Sequence, residues 1–232
     1  MAAKISVIIP VLKEESGINV LLEDIERKFF NPAAQVVVVD CDPRSSTLNA
    51  ITRTHPDLQK IRTHKGRAVQ MNAGAAAADG DVLLFLHADT RLPESAPDDI
   101  SEAFEDPCVV AGAFRLKLDS DNPFLKFVSY TASLRSEITK IPLGDQALFI
   151  RRKYFNSIGG FREMPLMEDT EIMERIKKNN GKIKIVGSSV VSSARRWREG
   201  GIFVNTFKNH LVRFLYSLGV SPVRLHRMYY GS

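Results

Sequence analysis

Residues 81–90 of the chain read DVLLFLHADT. The five consecutive apolar residues from Val82 to Leu86 are too few for a helix, and they predict a strand that is buried on both faces. His87 and Asp89 stand two residues apart, so an extended backbone can point both side chains the same way. Ligands of open α/β sheets bind at the carboxyl ends of the strands, where this imidazole and carboxylate could hold a divalent metal ion. The alternative is that Asp89 only caps the helix or turn that follows.

Strands and helices alternate before this stretch. In chain order, the patterns predict a strand at 5–11, a helix at 18–29, a strand at 35–40, a helix from residue 46 to 54, a strand at 61–63 and a helix at 68–78. This alternation predicts an α/β fold with a mostly parallel sheet flanked by helices. Acids stand at or just beyond three strand ends, namely Glu14, Asp40 and Asp89. Three acids at one sheet edge indicate a binding site more than a solvated surface.

The second half of the chain is less regular. Its patterns predict strands at 109–118, 147–150, 182–186 and 190–191, and helices at 100–104, 122–136, 151–158, 167–178 and 202–218. A polar loop, Leu143–Gln146, precedes the strand at 147–150. The residues Arg195–Trp197 are predicted to lie on a further loop.

Composition narrows the class of protein. The chain has 232 residues, of which 44% are hydrophobic, so there is ample material for a core. No run approaches the roughly 18 apolar residues of a membrane-spanning helix, and the N-terminus shows no secretory pattern. The two cysteines, Cys41 and Cys108, fit no metal-binding spacing and are typical of a reducing compartment. A cytoplasmic location is therefore expected.

Positive charge is concentrated near the C-terminus. From residue 195 onward the only acid is Glu199, and the bases are Arg195, Arg196, Arg198, Lys208, Arg213, Arg224 and Arg227. Such a segment attracts phosphate, nucleic acid or an anionic membrane surface. Nucleic-acid binding is not expected, because the aromatic residues recur at helical spacing, as core residues do. The amphipathic stretch 202–218 could dock on a membrane surface, but packing on the domain or on a second subunit is favoured.

Four motifs, in this order, resemble those of the inverting nucleotide-sugar glycosyltransferases of family 2, which have the GT-A fold. They are the opening strand and acidic turn at Ile8–Glu15, the strand-end acid in Val39-Asp40, His87-Ala88-Asp89 in place of the Asp-x-Asp metal motif, and the acceptor-site acid pair Glu168-Asp169. Within the family, residues 66–74, 86–90 and 195–197 resemble a bacterial subgroup named for arsenosugar biosynthesis. The resemblance covers nearly the whole chain.

This resemblance implies a metal-dependent glycosyltransferase that moves a sugar from a nucleotide-sugar, expected to be a UDP-sugar, to a hydroxyl acceptor with inversion. It implies one GT-A domain at 1–200, with a nucleotide-binding half at about 1–95, an acceptor half at about 96–200, and a helical extension at 201–232. The extension could form a homodimer or touch a membrane surface. Membrane contact would make the enzyme peripheral to the inner face of the membrane.

The resemblance also assigns roles to particular residues. Asp169 is the candidate general base, with Glu168 beside it to keep it basic enough. Asp89 is the candidate ligand for Mn²⁺ or Mg²⁺, and His87 is a second ligand or a hydrogen-bonding group. The candidates for donor binding are Pro10, Glu14, Asp40, Arg67, His87, Ala88, Asp89, Arg195, Arg196 and Trp197. The candidates for acceptor binding are Gly144, Asp145 and Gln146.

Each assignment has a plainer alternative. Asp169 could only stabilise the N-terminus of its helix, and His87 could be a buried structural histidine. Arg67 and the segment Arg195–Trp197 could be solvated surface, with Trp197 as a packing anchor. The loop Gly144–Gln146 could be a simple turn.

The whole protein also has two alternative functions. One is a nucleotide-sugar-binding protein that has lost catalysis, because Cys41-Asp42 follow Asp40 where the family has glycine, serine, threonine and a second acid. The other is a sugar-phosphate nucleotidyltransferase. The second is disfavoured, because the loop Lys13–Glu15 after the first strand is acidic and repels a triphosphate.

Overall fold

The part of the chain that this computed structural model describes, residues 3–29, 34–53 and 57–231, forms one sheet of eight strands with ten α-helices. The strands are β1 (Ile5–Val11), β2 (Gln35–Asp40), β3 (Leu58–Arg62), β4 (Val82–Phe85), β5 (Thr90–Arg91), β6 (Val109–Leu118), β7 (Leu148–Arg151) and β8 (Lys182–Ser192). The helices are α1 (Ile18–Lys28), α2 (Ser46–Ala50), α3 (Arg67–Ala77), α4 (Ala96–Ala103), α5 (Pro123–Thr139), α6 (Arg152–Ser157), α7 (Glu168–Lys178), α8 (Arg195–Gly200), α9 (Ile202–Ser217) and α10 (Pro222–Tyr230).

The order of strands in the sheet is β3-β2-β1-β4-β7-β6-β8-β5. β1 lies parallel between β2 and β4, with Ile8 opposite Val37 on one side and Phe85 on the other. β4 pairs antiparallel with β7, and β7 in turn pairs antiparallel with β6. The predicted α/β fold with a mostly parallel sheet is confirmed. Because the chain order reverses between β1 and β4, the crevice where such sheets bind ligands lies at the carboxyl ends of these two strands.

The side chains of β1 alternate between two cores, as the two-residue period of a strand requires. Val7 and Ile9 pack with α1 and α4 on one face of the sheet, and Ile8 packs with α3, α6 and α7 on the other. α3 approaches the sheet closely through Gly74, where a methyl group would overlap Cγ2 of Ile8. This close packing positions Arg67, the first residue of α3.

Some predicted elements differ in their bounds. The third strand covers Leu58–Arg62 rather than 61–63, and Arg195–Trp197 begin a short helix instead of forming a loop. The helix predicted to reach residue 54 ends at Ala50, because Ile51 is extended, and residue 54 itself lies outside the described residues. The strands predicted at 182–186 and 190–191 are one strand, β8. Its pairing with β6 jumps from Ala113–Ile185 to Arg115–Ser189, so the residues between form a bulge that keeps the strand continuous.

The helix predicted at 202–218 is present as α9. It packs on the domain, and α10 packs beside it, through a small core of Met167, Val212 and Leu225. Met167 is the residue just before α7, so both C-terminal helices lie against the start of that helix. No helix in the described residues has the length and apolar character needed to cross a membrane.

Candidate functional site

The strand ends bring the predicted acids to one edge of the sheet. Asp40 ends β2, while Glu14 and Asp89 follow the ends of β1 and β4. Pro10 lies in β1, and Ala88 packs partly buried against the core. The backbone N–H of Glu14 donates to Oγ1 of Thr47 at 3.0 Å, so the turn after β1 is held against α2.

Asp40 is fully buried and holds the turn that follows β2. Its Oδ1 accepts the N–H of Asp42 at 2.8 Å, and its Oδ2 accepts the N–H of Leu48 at 3.3 Å. The carboxylate of Asp42 in turn accepts the N–H groups of Arg44 and Ser46, both at 3.4 Å. The nearby hydroxyl of Ser46 is the largest cause that lowers the pKa of Asp42. Both acids therefore shape the turn at this edge, a role that the sequence did not predict for Asp40.

His87, Gly144 and Asp169 meet at the centre of the edge. The N–H of Gly144 donates to Oδ2 of Asp169 at 2.7 Å. A methyl group at Gly144 would lie 2.9 Å from Nε2 of His87 and 3.3 Å from Oδ2 of Asp169. The structure thus brings together the candidate base, the candidate donor-side histidine and the acceptor loop, which are far apart in the sequence.

The imidazole of His87 is neutral at physiological pH. Burial, followed by the positive charges of Arg67 and Arg196, lowers its pKa to about 3. Its Nε2 is buried and has no hydrogen-bond partner in the described part of the chain. A neutral imidazole can accept or donate a hydrogen bond or bind a metal ion, but it brings no positive charge to a phosphate.

An ion pair joins α3 to the first turn of α7. Nη1 of Arg67 lies 3.3 Å from Oε1 of Glu168, whose side chain is 3% exposed against 37% for Arg67. Burial, followed by the charge of Asp169, raises the pKa of Glu168, and Arg67 opposes both effects. Glu168 is thus engaged with Arg67, whereas the half-buried Asp169 is the acid that faces Gly144.

Two arginines near the acceptor-side acids were not predicted from the sequence. Arg135 on α5 donates from Nη1 to the carbonyl of Ile141 at 2.7 Å, and Arg213 on α9 adjoins the packed Val212. Burial, followed by the charge of Arg213, lowers the pKa of Arg135 to about 10, and burial also lowers the pKa of Arg213. The negative charges of Asp145 and Asp169 oppose both shifts. In the sequence, each arginine is simply a base within an amphipathic helix. That pattern predicts a solvated side chain as readily as one that faces a site.

The buried carboxyl group of Asp145 lowers the stability of the folded chain when it is ionised, and this effect can be measured. Burial, followed by the negative charge of Asp169, raises its pKa from 3.8 to about 6, against the opposing charges of Arg135, Arg213 and Arg196. Between these two values the folded chain holds a proton that the unfolded chain has lost. The contribution of Asp145 to folding therefore falls as pH rises through this window.

The substitution Asp145→Asn is consequently expected to favour the folded state more at neutral pH than at acidic pH. The change in unfolding free energy on substitution should be about 2 kcal/mol more positive at pH 7.5 than at pH 4.5. Urea unfolding at both pH values, with EDTA present, measures it. Asp119→Asn, at an acid that is 60% exposed, is the matched control and should show no such difference. The same change at both pH values for Asp145→Asn would contradict the prediction.

Gln146 has its side chain bonded within the protein. Its Nε2 donates to the carbonyl of Phe114 at 2.8 Å and to Oγ of Ser136 at 2.9 Å, and its Oε1 accepts the N–H of Leu143 at 3.2 Å. These bonds anchor the 3₁₀ turn Gly144–Gln146 to β6 and α5. Of the acceptor candidates, Gly144 and Asp145 are therefore the two that lie against the acids.

The segment Arg195–Trp197 lies beside the turn that follows β1. Nη2 of Arg195 pairs with Oε1 of Glu14 at 3.1 Å. Arg196 is exposed, and its charge acts on His87 and Asp145. Trp197 packs, partly buried, against the small core of Leu118, Leu125 and Ala194. This segment ties the start of α8 both to the site and to α5.

At this edge, Asp89 is the carboxylate that could contribute to holding a divalent cation. Within residues 3–29, 34–53 and 57–231, no group of three His, Cys, Asp or Glu side chains could bind a metal ion. Asp89 is exposed beside a cavity of about 280 Å³ that Ala88 and Ser193 also line. Mg²⁺ is usually bound by one or two carboxylates and substrate phosphates and keeps several waters, so one carboxylate is an adequate protein contribution. The neutral His87 suits Mn²⁺ better than Mg²⁺.

A sequence model of the family described as "Glycosyl transferase family 2" matches residues 6–164 of the chain. The match contains Pro10, Asp40, Asp89 and the loop Gly144–Gln146, and it ends just before Glu168. No curated protein matches the chain.

Solved structures of low sequence identity share the fold. The mannosyltransferase PcManGT from Pyrobaculum calidifontis, in complex with GDP-Man and Mn²⁺, has a TM-score of 0.69 at 23% identity, over 99% of this chain and 70% of that one. TarS from S. aureus, residues 1–349, has a TM-score of 0.63 at 18% identity, over 82% of this chain and 60% of that one. Its complex with UDP has a TM-score of 0.61, with the same identity and coverage.

Proposed function

The chain belongs to glycosyl transferase family 2 and is a glycosyltransferase, and we propose that it moves a sugar from a UDP-sugar to an acceptor hydroxyl with inversion. Inverting transfer needs a base on one face of the sugar and stabilisation of the leaving diphosphate on the other. The site has an acid for the first task on α7 and positive side chains for the second on α3 and α8. We further propose that the enzyme belongs to the bacterial subgroup whose motifs it resembles.

The observation that carries the proposal is the contact of Asp169 with Gly144 beside His87. Asp169 is the proposed general base, which takes the proton of the acceptor hydroxyl as the oxygen attacks the anomeric carbon. Oδ2 already accepts the N–H of Gly144, which orients the carboxylate and leaves it lone pairs for the hydroxyl. Glu168 is a positioning residue in this proposal, because its ion pair with Arg67 fixes the first turn of α7.

The leaving group is proposed to meet the positively charged side of the edge. Arg67 and Arg196 would neutralise the diphosphate, and both are close enough for their charges to act on His87. Arg195, held by Glu14, and Trp197 would lie over the donor. Asp89, with His87 as its neighbour, would hold a divalent cation, which when bound acts as a Lewis acid for the diphosphate.

The proposed division of the chain follows from these roles. Residues from 1 to about 95 would bind the nucleotide, with Asp40 and the turn after β2 beside the base and ribose. Residues from about 96 to 200 would bind the acceptor through Gly144, Asp145 and Asp169. The helices from residue 201 onward would form an extension that places Arg213 near these acids.

Calorimetric titration with UDP and GDP, each with and without Mn²⁺, tests the nucleotide and the metal together. We expect UDP to bind at least tenfold more tightly than GDP, and Mn²⁺ to strengthen UDP binding at least tenfold. Preference for GDP would overturn the proposed donor. Equal binding with and without Mn²⁺ would contradict metal dependence. UDP binding combined with no hydrolysis or transfer of any UDP-sugar would instead indicate a nucleotide-sugar-binding protein.

A further inference from the structure

Two amphipathic helices carry apolar side chains that the domain leaves exposed. On α9 and directly after it, four side chains that are 60–72% exposed recur along one face: Phe203, Phe207, Phe214 and Leu218. On α5, four side chains that are 41–73% exposed do the same: Phe127, Tyr130, Leu134 and Ile138. The rings of Phe124 and Phe203 lie 4.7 Å apart, so the two helices meet at their N-terminal ends. We call these eight side chains the α5–α9 apolar surface.

Such a surface is unusual for a protein whose whole surface is in contact with water. Single exposed apolar residues are common, but rows of them on adjoining helices mark a surface that contacts something else. The opposite face of α9 is already engaged, because Val212 packs on Met167. The exposed row is therefore not needed to hold the helix on the domain.

Exposed bases lie on α8, α9 and α10, on the α9 side of the apolar surface, while the acids on the α5 side, Asp121 and Glu137, are paired with Lys126 and Arg115. Lys208 is exposed on α9 next to Phe207, and Arg198 is exposed on α8 just before α9 begins. Arg224 and Arg227 are exposed on α10. From residue 195 onward, Glu199 is the only acid in the sequence. Aromatic side chains with lysine and arginine at their border are typical of helices that lie in the interface of a bilayer.

We propose that the α5–α9 apolar surface docks on an anionic lipid bilayer. The phenylalanines would enter the boundary between headgroups and acyl chains, and the bases would lie against anionic headgroups. A second copy of the chain fits the same surface poorly. A two-fold interface that pairs α9 with its own copy would bring the bases of α8, α9 and α10 close to the same bases of the other copy.

The placement of α9 gives this docking a consequence for the substrate, which rests on the proposed function. The side of α9 away from the bilayer carries Val212, against Met167, and Arg213, whose pKa responds to the charges of Asp145 and Asp169. The acceptor side of the site would thus lie close to the lipid surface. The acceptor would then be a hydroxyl-bearing molecule held in or on the membrane.

Vesicle co-sedimentation of the full chain tests the docking without any catalytic step. Vesicles of phosphatidylcholine alone are compared with vesicles that also contain phosphatidylglycerol. We expect at least tenfold stronger binding to the anionic vesicles, and weaker binding at high salt because the attraction is screened. Phe207→Glu and Phe214→Glu should each lower the affinity at least tenfold.

Val20→Glu is the matched control, because Val20 is 65% exposed on α1 and lies outside the α5–α9 apolar surface. It should bind vesicles like the wild type, and circular dichroism should show that all three variants are folded. Equal loss in Val20→Glu, or no binding of the wild type to anionic vesicles, would overturn the proposal. A stable dimer in analytical ultracentrifugation that Phe207→Glu dissociates would overturn it as well. UDP binding by Phe207→Glu and Phe214→Glu should be unchanged, which separates failure of docking from failure of the proposed activity.

Discussion

Asp169→Asn is expected to lower kcat for sugar transfer by a factor of about 10³ and to leave UDP binding almost unchanged. The amide has the shape of the carboxylate, and its oxygen can still accept the N–H of Gly144, which lies 2.7 Å from Oδ2 in the wild type. The turn Gly144–Gln146 should therefore keep its place. The amide nitrogen then takes the place of Oδ1, so the hydrogen bond that Oδ1 accepts from the N–H of Thr170 is lost. The amide cannot take a proton from the acceptor hydroxyl, and that step alone should be lost. Steady-state transfer kinetics, together with calorimetric titration of UDP, measure both quantities.

Glu174→Gln is the control for this substitution, because it changes an exposed acid on the same helix, α7. It should retain kcat within about twofold, as expected for a surface position far from the reacting atoms. A kcat for Asp169→Asn above a tenth of the wild-type value would exclude Asp169 as the base. Glu168 would then be the next candidate for the base. To act as the base it would first have to leave its ion pair with Arg67.

Asp89→Ala is expected to abolish the part of UDP affinity that depends on Mn²⁺ and to reduce transfer by roughly 10² to 10⁴-fold. Asp89 is the exposed carboxylate just beyond the end of β4 that would hold the cation, which when bound would supply several kcal/mol of charge stabilisation to the leaving diphosphate. UDP should still bind weakly, because Arg67 and the turn after β2 are unchanged. Calorimetric titration of UDP with and without Mn²⁺, on wild type and variant, gives the metal-dependent part directly.

Asp119→Ala provides the matched control for Asp89. Asp119 is another acid that lines the same cavity, and it is paired with Arg91 at 3.4 Å in an exposed position. Its removal should alter neither the effect of Mn²⁺ nor transfer. If Asp89→Ala keeps the full response to Mn²⁺, the cation is held elsewhere and the role proposed for Asp89 is wrong.

The fold could be predicted largely because local pattern and burial agree in the first half of the chain. The runs at 5–11, 35–40 and 82–86 are apolar enough that only a strand buried on both faces explains them, and all three are central strands of the sheet. The bulge in β8 could not be predicted. Gly187 and Ser188 look like a break between two strands, and only the register of the partner strand β6 carries the pairing across it.

The candidate site was predictable to the extent that its residues follow strand ends or begin a helix. Asp89 and Asp169 lie at such positions, and both belong to the motifs that resemble those of the family. Arg135 and Arg213 lie inside helices, and which face of a helix meets the site depends on packing between elements distant in sequence. The same holds for Gln146, which reads as part of a polar loop but is buried because Phe114 and Ser136 supply its hydrogen-bond partners.

The antiparallel pairing of β4 with β7 has a consequence for folding during synthesis on the ribosome. β4, at Val82–Phe85, is completely apolar and buried, and its second neighbour in the sheet is not made until Arg151 has been synthesised. At about 5–20 residues per second, translation leaves that strand edge open for several seconds. An unpaired apolar edge is a template for aggregation. The nascent chain should therefore depend on chaperones most strongly in the interval between these two strands.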